Sequence, residues 1–193
     1  MELLTTAFRS VILATALISL LAGGARADQH PTADEIAAQL MSITPRAGQT
    51  VEEEWDRPEI TCTPLEARAA FYDEGEDVAR RPRMQMEVNF AFGSDELTAD
   101  AVELLGGLAR AVQSPVLSGD RFLLVGHTDA VGTEEANLEL AQRRARAVYE
   151  ELVSVHSVDA NRLRPRGCGE AVLLVTDPRS PRNRRVEVIN AGR

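Results

Sequence analysis

The chain has 193 residues, a formal net charge of −9 at pH 7 and no lysine, so all 21 basic residues are arginine. No basic block interrupts this acidic composition, and nucleic acids and anionic membrane surfaces bind proteins mainly through clustered positive charge. We therefore expect neither partner. The length suits one domain with an extension, because domains usually run to roughly 100–150 residues.

Residues 1–27 have the pattern of a secretory signal peptide. Arg9 precedes an apolar run from Val11 to Ala22, and Ala25 and Ala27 provide the small residues of a cleavage site. The run is short, because a membrane-spanning helix needs roughly 20 residues. No cysteine that could carry a lipid directly follows the run, so a lipoprotein is not expected. We predict export to the periplasm or cell envelope; the alternative is that the segment is retained as an anchor.

Residues 28–83 are predicted to form a partly ordered N-terminal extension with one short helix. Thr32 and Glu35 have the spacing of a capping box at the start of that helix. The acidic stretch from Val51 to Asp77 contains prolines and is typical of an irregular arm. This arm is either a spacer or a binding site for an envelope protein partner.

Two cysteines, Cys62 in the extension and Cys168 near the C terminus, would reach an oxidising compartment together. Thiols in such compartments tend to pair. Sequence spacing gives no distance between the two Cα atoms, so a disulfide between them is a possibility that the sequence leaves open.

From residue 84 onward, hydrophobic periodicity predicts six regular elements. They are a strand at Met84–Phe92, a helix capped by Thr98 with Val102, Leu105, Leu108 and Val112 on its apolar face, a strand at Arg121–His127, a helix at Glu134–Val153, and strands at Leu163–Gly169 and Arg184–Asn190. The order β-α-β-α-β-β predicts an α+β domain over residues 84–193, with helices packed on a mixed sheet in two layers.

Polar residues with opposite charges are expected to meet at one end of the long helix. The predicted apolar stripe of this helix is Leu138, Ala141, Ala145, Val148 and Leu152. Asn137 and Arg144 each precede a stripe residue, so both lie at the edge of the core, two turns apart. Asp129 follows a strand, and Gly132 permits a turn before the helix.

These three side chains complement a group that carries both an ammonium and a carboxylate. A guanidinium binds a carboxylate in bidentate fashion, a carboxylate accepts from an ammonium, and an amide both donates and accepts. The sequence therefore predicts a binding site formed by Asp129, Asn137 and Arg144. The alternative is that Asp129 pairs with Arg144 and only ties the loop to the helix.

A set of short motifs accompanies these residues in a specific order. The motifs are F-x-F-x-S at Phe90, Phe92 and Ser94, GHTD at Gly126 to Asp129, Gly132, N-x-x-L-x-x-x-R-A at Asn137, Leu140, Arg144 and Ala145, G-x-G-E at Gly167 to Glu170, and NRRVE at Asn183 to Glu187. In this combination, the segment from Val88 to Asn190 strongly resembles the OmpA-like peptidoglycan-binding domain of outer-membrane protein A, the peptidoglycan-associated lipoprotein and the flagellar stator protein MotB.

The resemblance implies non-covalent binding of peptidoglycan through the diaminopimelate of its peptide stem, without a cofactor. Asp129 would bind the ammonium, Arg144 the carboxylate, and Asn137 would support the ligand. The other residues that the resemblance places in the site are Thr128, Phe92, Gly93 and Arg185. Either Arg184 or Arg185 would supply charge, or would simply order the last strand. Departures from the family pattern at Gly93, Ala141 and Cys168 affect the rim of the pocket.

An enzymatic role, such as a wall hydrolase, is not expected. His30, His127 and His156 do not have the spacing of metal ligands, and Cys168 has no evident activating partner. His127 is predicted to be structural, so neither a catalytic residue nor a metal site is proposed. A protein-interaction module that uses the acidic arm remains the other candidate function.

Overall fold

The structure is a computed structural model that describes residues 30–41, 62, 83–91 and 94–192. Its helices are α1 (Ala33–Leu40), α2 (Ala99–Val112) and α3 (Glu134–Glu150), and its strands are β1 (Arg83–Met86), β2 (Arg121–His127), β3 (Leu163–Gly169) and β4 (Arg185–Gly192). The predicted signal peptide and the acidic arm lie outside the described residues. No helix within the described ranges is both long and apolar enough to cross a lipid bilayer.

The four strands form one mixed sheet in the order β1-β4-β2-β3. β4 is antiparallel to both of its neighbours, and β2 is parallel to β3. The helices cover one face of the sheet and share a hydrophobic core with it. This arrangement confirms the predicted α+β fold with helices packed on a mixed sheet.

A threonine caps the N-terminus of each of these three helices. The side chain of Thr32 accepts from the backbone N–H of Glu35, and the Glu35 carboxylate binds back to Thr32, which completes the predicted capping box. Thr98 caps α2 as predicted, and Thr133 caps α3. Capping by a hydroxyl satisfies one of the N–H groups that the first turn of a helix leaves unpaired. The helix starts are therefore encoded locally.

The first strand is shorter than predicted. Met84, Met86 and Val88 are buried in the predicted alternation, but β1 ends at Met86. The backbone beyond it pairs with the segment that leads into α2, because the Asn89 carbonyl accepts from the N–H of Thr98 at 3.2 Å. Phe90 consequently forms an isolated bridge with Leu97 instead of extending β1 along β4.

Two residues that were predicted to lie in the core are exposed. Val102 is 37% exposed, since the buried face of α2 begins at Ala101 instead, whereas Leu105 is buried as predicted. Leu138 is 48% exposed, and the polar Asn137 takes the buried position in the first turns of α3. Periodicity placed the apolar face of α3 correctly only from Ala141 onward.

Helix α3 lies directly against the backbones of β2 and β3 because glycines face it. A Cβ atom at Gly126 would overlap the carbonyl oxygen of Ala141, and one at Gly167 would overlap the backbone of Gln142. Gly169 adopts a φ of +54°, and a Cβ there would lie 2.9 Å from the backbone nitrogen of Leu138. The helix-to-sheet distance at this end is therefore set by backbone contact.

A disulfide joins Cys62 of the extension to Cys168 at the end of β3, with the two Cα atoms 5.0 Å apart. Cys168 belongs to a second, smaller apolar cluster with Leu123, Val125, Ile189 and Ala191, and Cys62 packs against it. Alternation along β2 places this cluster on the sheet face opposite the helices. The extension is thus covalently attached to that face.

We predict that Gly126→Ala lowers the free energy of unfolding by about 1–3 kcal/mol, the usual effect of overpacking a close contact. Gly106→Ala in α2 is the matched control, because the nearest atom to its added Cβ would be 3.5 Å away. The control should gain about 0.5–1 kcal/mol through reduced freedom of the unfolded chain. Urea unfolding measures both, and equal effects would contradict the backbone contact.

Removal of the disulfide should also destabilise the protein. The two cysteines are 106 residues apart, and closing a loop of that size restricts the unfolded chain by about 4–5 kcal/mol. Cys62→Ala/Cys168→Ala should therefore unfold at a much lower urea concentration than the oxidised protein. Reduced wild-type protein is the control and should match the double variant; identical midpoints with and without reductant would disprove the stabilising role.

Candidate functional site

A cleft of about 140 Å³ opens at the edge of the sheet where β1 and β2 end and β4 begins. Its lining combines three arginines with backbone and side chains of the segment after β1. The lining residues are Glu87, Val88, Asn89, Phe90, His127, Arg144, Pro181, Arg184 and Arg185. The three arginines outnumber the one acid of the lining, Glu87, so the cleft is predominantly cationic.

Arg144 reaches the cleft from α3 and is held by two contacts. Its Nε donates to the carbonyl oxygen of Ser94 at 3.2 Å, and its guanidinium carbon lies 4.9 Å from the centroid of the Phe90 ring. Burial lowers the pKa of Arg144, the positive charge of Arg184 lowers it further, and Asp129 raises it. The side chain is thus a fixed, partly buried cation beside a second cation and an acid.

Asp129 lies two residues after the end of β2 and is fixed by its own loop. Its Oδ1 accepts from the backbone N–H of Val131 at 3.3 Å, and its Oδ2 lies 2.7 Å from Nη1 of Arg184. The predicted alternative, an ion pair between Asp129 and Arg144, is therefore not the contact that holds this loop. Asp129 adjoins the cleft wall through Arg184.

Two of the remaining predicted site residues tie the strands and α3 together. The amide of Asn137 donates to the Glu170 carboxylate, which connects α3 to the end of β3. The backbone N–H of Thr128 donates to the carbonyl of Gly169 at 2.9 Å, and the Thr128 side chain is buried. Neither lines the cleft. Thr128 ties the chain next to Asp129 to the end of β3, and Asn137 ties α3 to the same end.

The two arginines of the NRRVE motif have different environments. Arg185 is buried at the start of β4, and its Nη1 donates to the carbonyl oxygens of Val172 and Asn183 at 3.3 and 3.4 Å. Burial lowers its pKa, and the charge of Glu187 opposes that effect. Arg184, by contrast, has a side chain that is 48% exposed and faces Asp129.

The sequence left open whether Arg184 or Arg185 supplies charge, and only Arg185 was placed in the site; in the structure Arg184 is the one that contacts Asp129. The side chains of neighbouring residues in an extended chain point in opposite directions. One arginine of the pair must therefore face inward and the other outward. That alternation was the available signal. Phe92 and Gly93, predicted to line the pocket, lie outside the described residues.

His127, which lines the cleft, lies in a buried cluster with Glu187 and Arg83. Its Nε2 lies 3.5 Å from Oε2 of Glu187, whose other oxygen is 3.7 Å from Nη1 of Arg83. Burial alone would raise the pKa of Glu187, but the hydrogen bond from His127 and nearby positive charges lower it overall. The described residues include no group of three or more potential ligands that could hold a metal ion.

The lowered pKa of Glu187 predicts a loss of stability in acid. Its ionised form contributes stability above the ordinary glutamate pKa of about 4.3, and this contribution is lost as the pH falls towards the lowered pKa of the folded protein. We expect Glu187→Gln to be less stable near neutral pH and to show a flatter profile below about pH 4.3. Urea unfolding at several pH values measures this; parallel profiles would contradict it.

Comparison with known proteins places these features in a family. The sequence model of the OmpA family matches residues 89–187, which include the whole cleft apart from its first two residues. Outer membrane protein A of Bordetella avium is 33% identical over 106 residues, which cover 53% of this chain and 53% of that protein. The chain therefore spans about half the length of this relative.

Two further matches agree. The Peptidoglycan-associated lipoprotein of Pseudomonas aeruginosa is 41% identical over 64 residues, covering 33% of this chain and 36% of that protein. The periplasmic domain of Helicobacter pylori MotB superposes with a TM-score of 0.51 at 20% identity, covering 61% of this chain and 86% of that one, and this likeness shows the fold. With the family match extending over half of its residues, this chain belongs to the OmpA family.

Proposed function

We propose that this domain binds peptidoglycan non-covalently through the diaminopimelate of the peptide stem, as an exported, non-lipidated protein of the periplasm or cell envelope. The observation that carries the proposal is that Arg144 lines the cleft while the Asp129 carboxylate, close enough to raise the pKa of Arg144, adjoins the cleft wall through Arg184. A relative named Peptidoglycan-associated lipoprotein supports it. The unbound end of diaminopimelate carries an ammonium and a carboxylate on one carbon.

Each charge of that ligand group has a counterpart. The contacts of Arg144 with the Ser94 carbonyl and the Phe90 ring fix the plane of the guanidinium, which would donate to the ligand carboxylate in bidentate geometry. Asp129 would accept from the ammonium. Because Asp129 and Arg144 are both partly buried, these pairings would be less screened by solvent than surface ion pairs.

The size of the cleft favours one amino-acid head group. Its volume of about 140 Å³ is smaller than the roughly 300–1,000 Å³ of pockets that enclose a drug-sized ligand. The cleft would accommodate the end of one side chain, and the sugar chains and the rest of the stem would remain outside. Recognition would therefore depend on the charged pair rather than on extensive enclosure.

We predict that Asp129→Asn and Arg144→Gln each weaken binding to isolated peptidoglycan by about 10- to 100-fold, because each leaves a charged ligand group without its partner. Co-sedimentation with purified sacculi measures this effect, and free diaminopimelate should release the wild-type protein. Arg143→Gln is the matched control, since Arg143 is adjacent on α3 but pairs with Glu139 at the surface.

The control should sediment like the wild-type protein. Wild-type sedimentation by both Asp129→Asn and Arg144→Gln would refute the proposed site. Release of soluble fragments from the sacculi by the protein would instead support a hydrolase.

A further inference from the structure

The carboxylate that the proposed site offers to an ammonium already has a cationic partner. Nη1 of Arg184 lies 2.7 Å from Oδ2 of Asp129, a short contact typical of a charge-assisted hydrogen bond. The two side chains are unequally accessible, since the Asp129 side chain is 12% exposed and that of Arg184 is 48% exposed. The Asp129 carboxylate is enclosed, whereas the Arg184 side chain reaches it from the solvent side.

The two partners also differ in how firmly they are held. Asp129 is fixed by the hydrogen bond from Val131 to its Oδ1 and by the contact of Thr128 with Gly169. Arg184 follows the short 3-10 turn Pro181–Asn183, and within the described part of the chain its side chain hydrogen-bonds to Asp129. If this ion pair separates, Arg184 is the partner that moves into water.

A second cation lowers the free-energy cost of that movement. Arg144 lines the same cleft as Arg184, and the positive charge of Arg184 contributes to lowering the pKa of Arg144. Two guanidinium groups that share one cleft repel each other. Departure of Arg184 would remove that repulsion just as a ligand carboxylate reaches Arg144.

Resting on the proposed function, we propose that Arg184 occupies the place of the ligand ammonium on Asp129 in the free protein, and that binding is an exchange of one cation for another. The Asp129–Arg184 pair keeps an enclosed carboxylate satisfied while the cleft is empty. A ligand enters when its ammonium displaces Arg184 and its carboxylate pairs with Arg144.

The exchange defines the chemical class of the ligand more narrowly. A stem with a free primary amine carries the positive charge that Asp129 requires. A stem whose amine is acylated, as in a cross-link, is neutral at that position. It therefore has no cation that could replace Arg184 on Asp129. The site is therefore expected to select stems that are not acylated on this amine.

The test uses the stem tripeptide that ends in diaminopimelate and the same peptide acetylated on the side-chain amine. Arg184→Gln removes the competing cation, so it should bind the free-amine peptide about two- to fivefold more tightly than the wild-type protein, the range expected for a half-exposed ion pair. Its affinity for the acetylated peptide should not rise. Arg182→Gln is the control, because Arg182 is exposed in the preceding turn and its loss removes the same charge.

A measurement on the wild-type protein complements the variants. The Nε–H resonance of Arg184 should shift during titration with the free-amine peptide and stay in place with the acetylated one. Unchanged or weaker binding of the free-amine peptide by Arg184→Gln, or an unmoved Arg184 resonance, would overturn the exchange alone. Failure of the wild-type protein to bind the free-amine peptide would overturn the proposed function together with the exchange.

Discussion

The contact of α3 with the bare backbones of β2 and β3 is the constraint on which the site depends. Gly126 and Gly167 allow the helix to approach until its backbone touches the strands, so no side chain at those positions can adjust the spacing. Two turns of α3 are thereby fixed relative to the strand ends. Arg144 projects from those turns. Its guanidinium is therefore held in a fixed position against the Ser94 carbonyl and the Phe90 ring.

Sheet topology then determines what Arg144 meets. β4 is antiparallel to β1 and β2, so the C-terminal ends of β1 and β2 lie beside the N-terminal end of β4. The segment after β1 contributes Phe90, the loop after β2 contributes Asp129, and the residue before β4 is Arg184. Opposite charges from distant parts of the sequence are therefore brought to one edge of one sheet, next to the buried pair of His127 and Glu187.

Local signals in the sequence were sufficient to predict most of the helices and strands. The caps at Thr32 and Thr98, the apolar run of β2 and the strand at Leu163–Gly169 were all predictable, because each depends on neighbouring residues. The proximity of Asp129 to Arg144 was also predictable, since one follows a strand and the other borders an apolar helix face; their role in binding stays a prediction. Their direct pairing was one of two alternatives, and the structure instead pairs Asp129 with Arg184.

What the sequence did not reveal depends on contacts between distant segments. Periodicity placed Leu138 in the core, but α3 approaches the sheet through glycines, and the buried position there belongs to Asn137, which binds Glu170. Alternation predicted β1 as far as Phe92, but the chain after Met86 pairs with the start of α2. The proposed site is tested most directly by a crystal structure of the protein with the diaminopimelate tripeptide. We expect the ligand ammonium about 2.7–3.2 Å from the Asp129 carboxylate, with the ligand carboxylate on Arg144. A peptide bound elsewhere, with the Asp129–Arg184 pair intact, would contradict it.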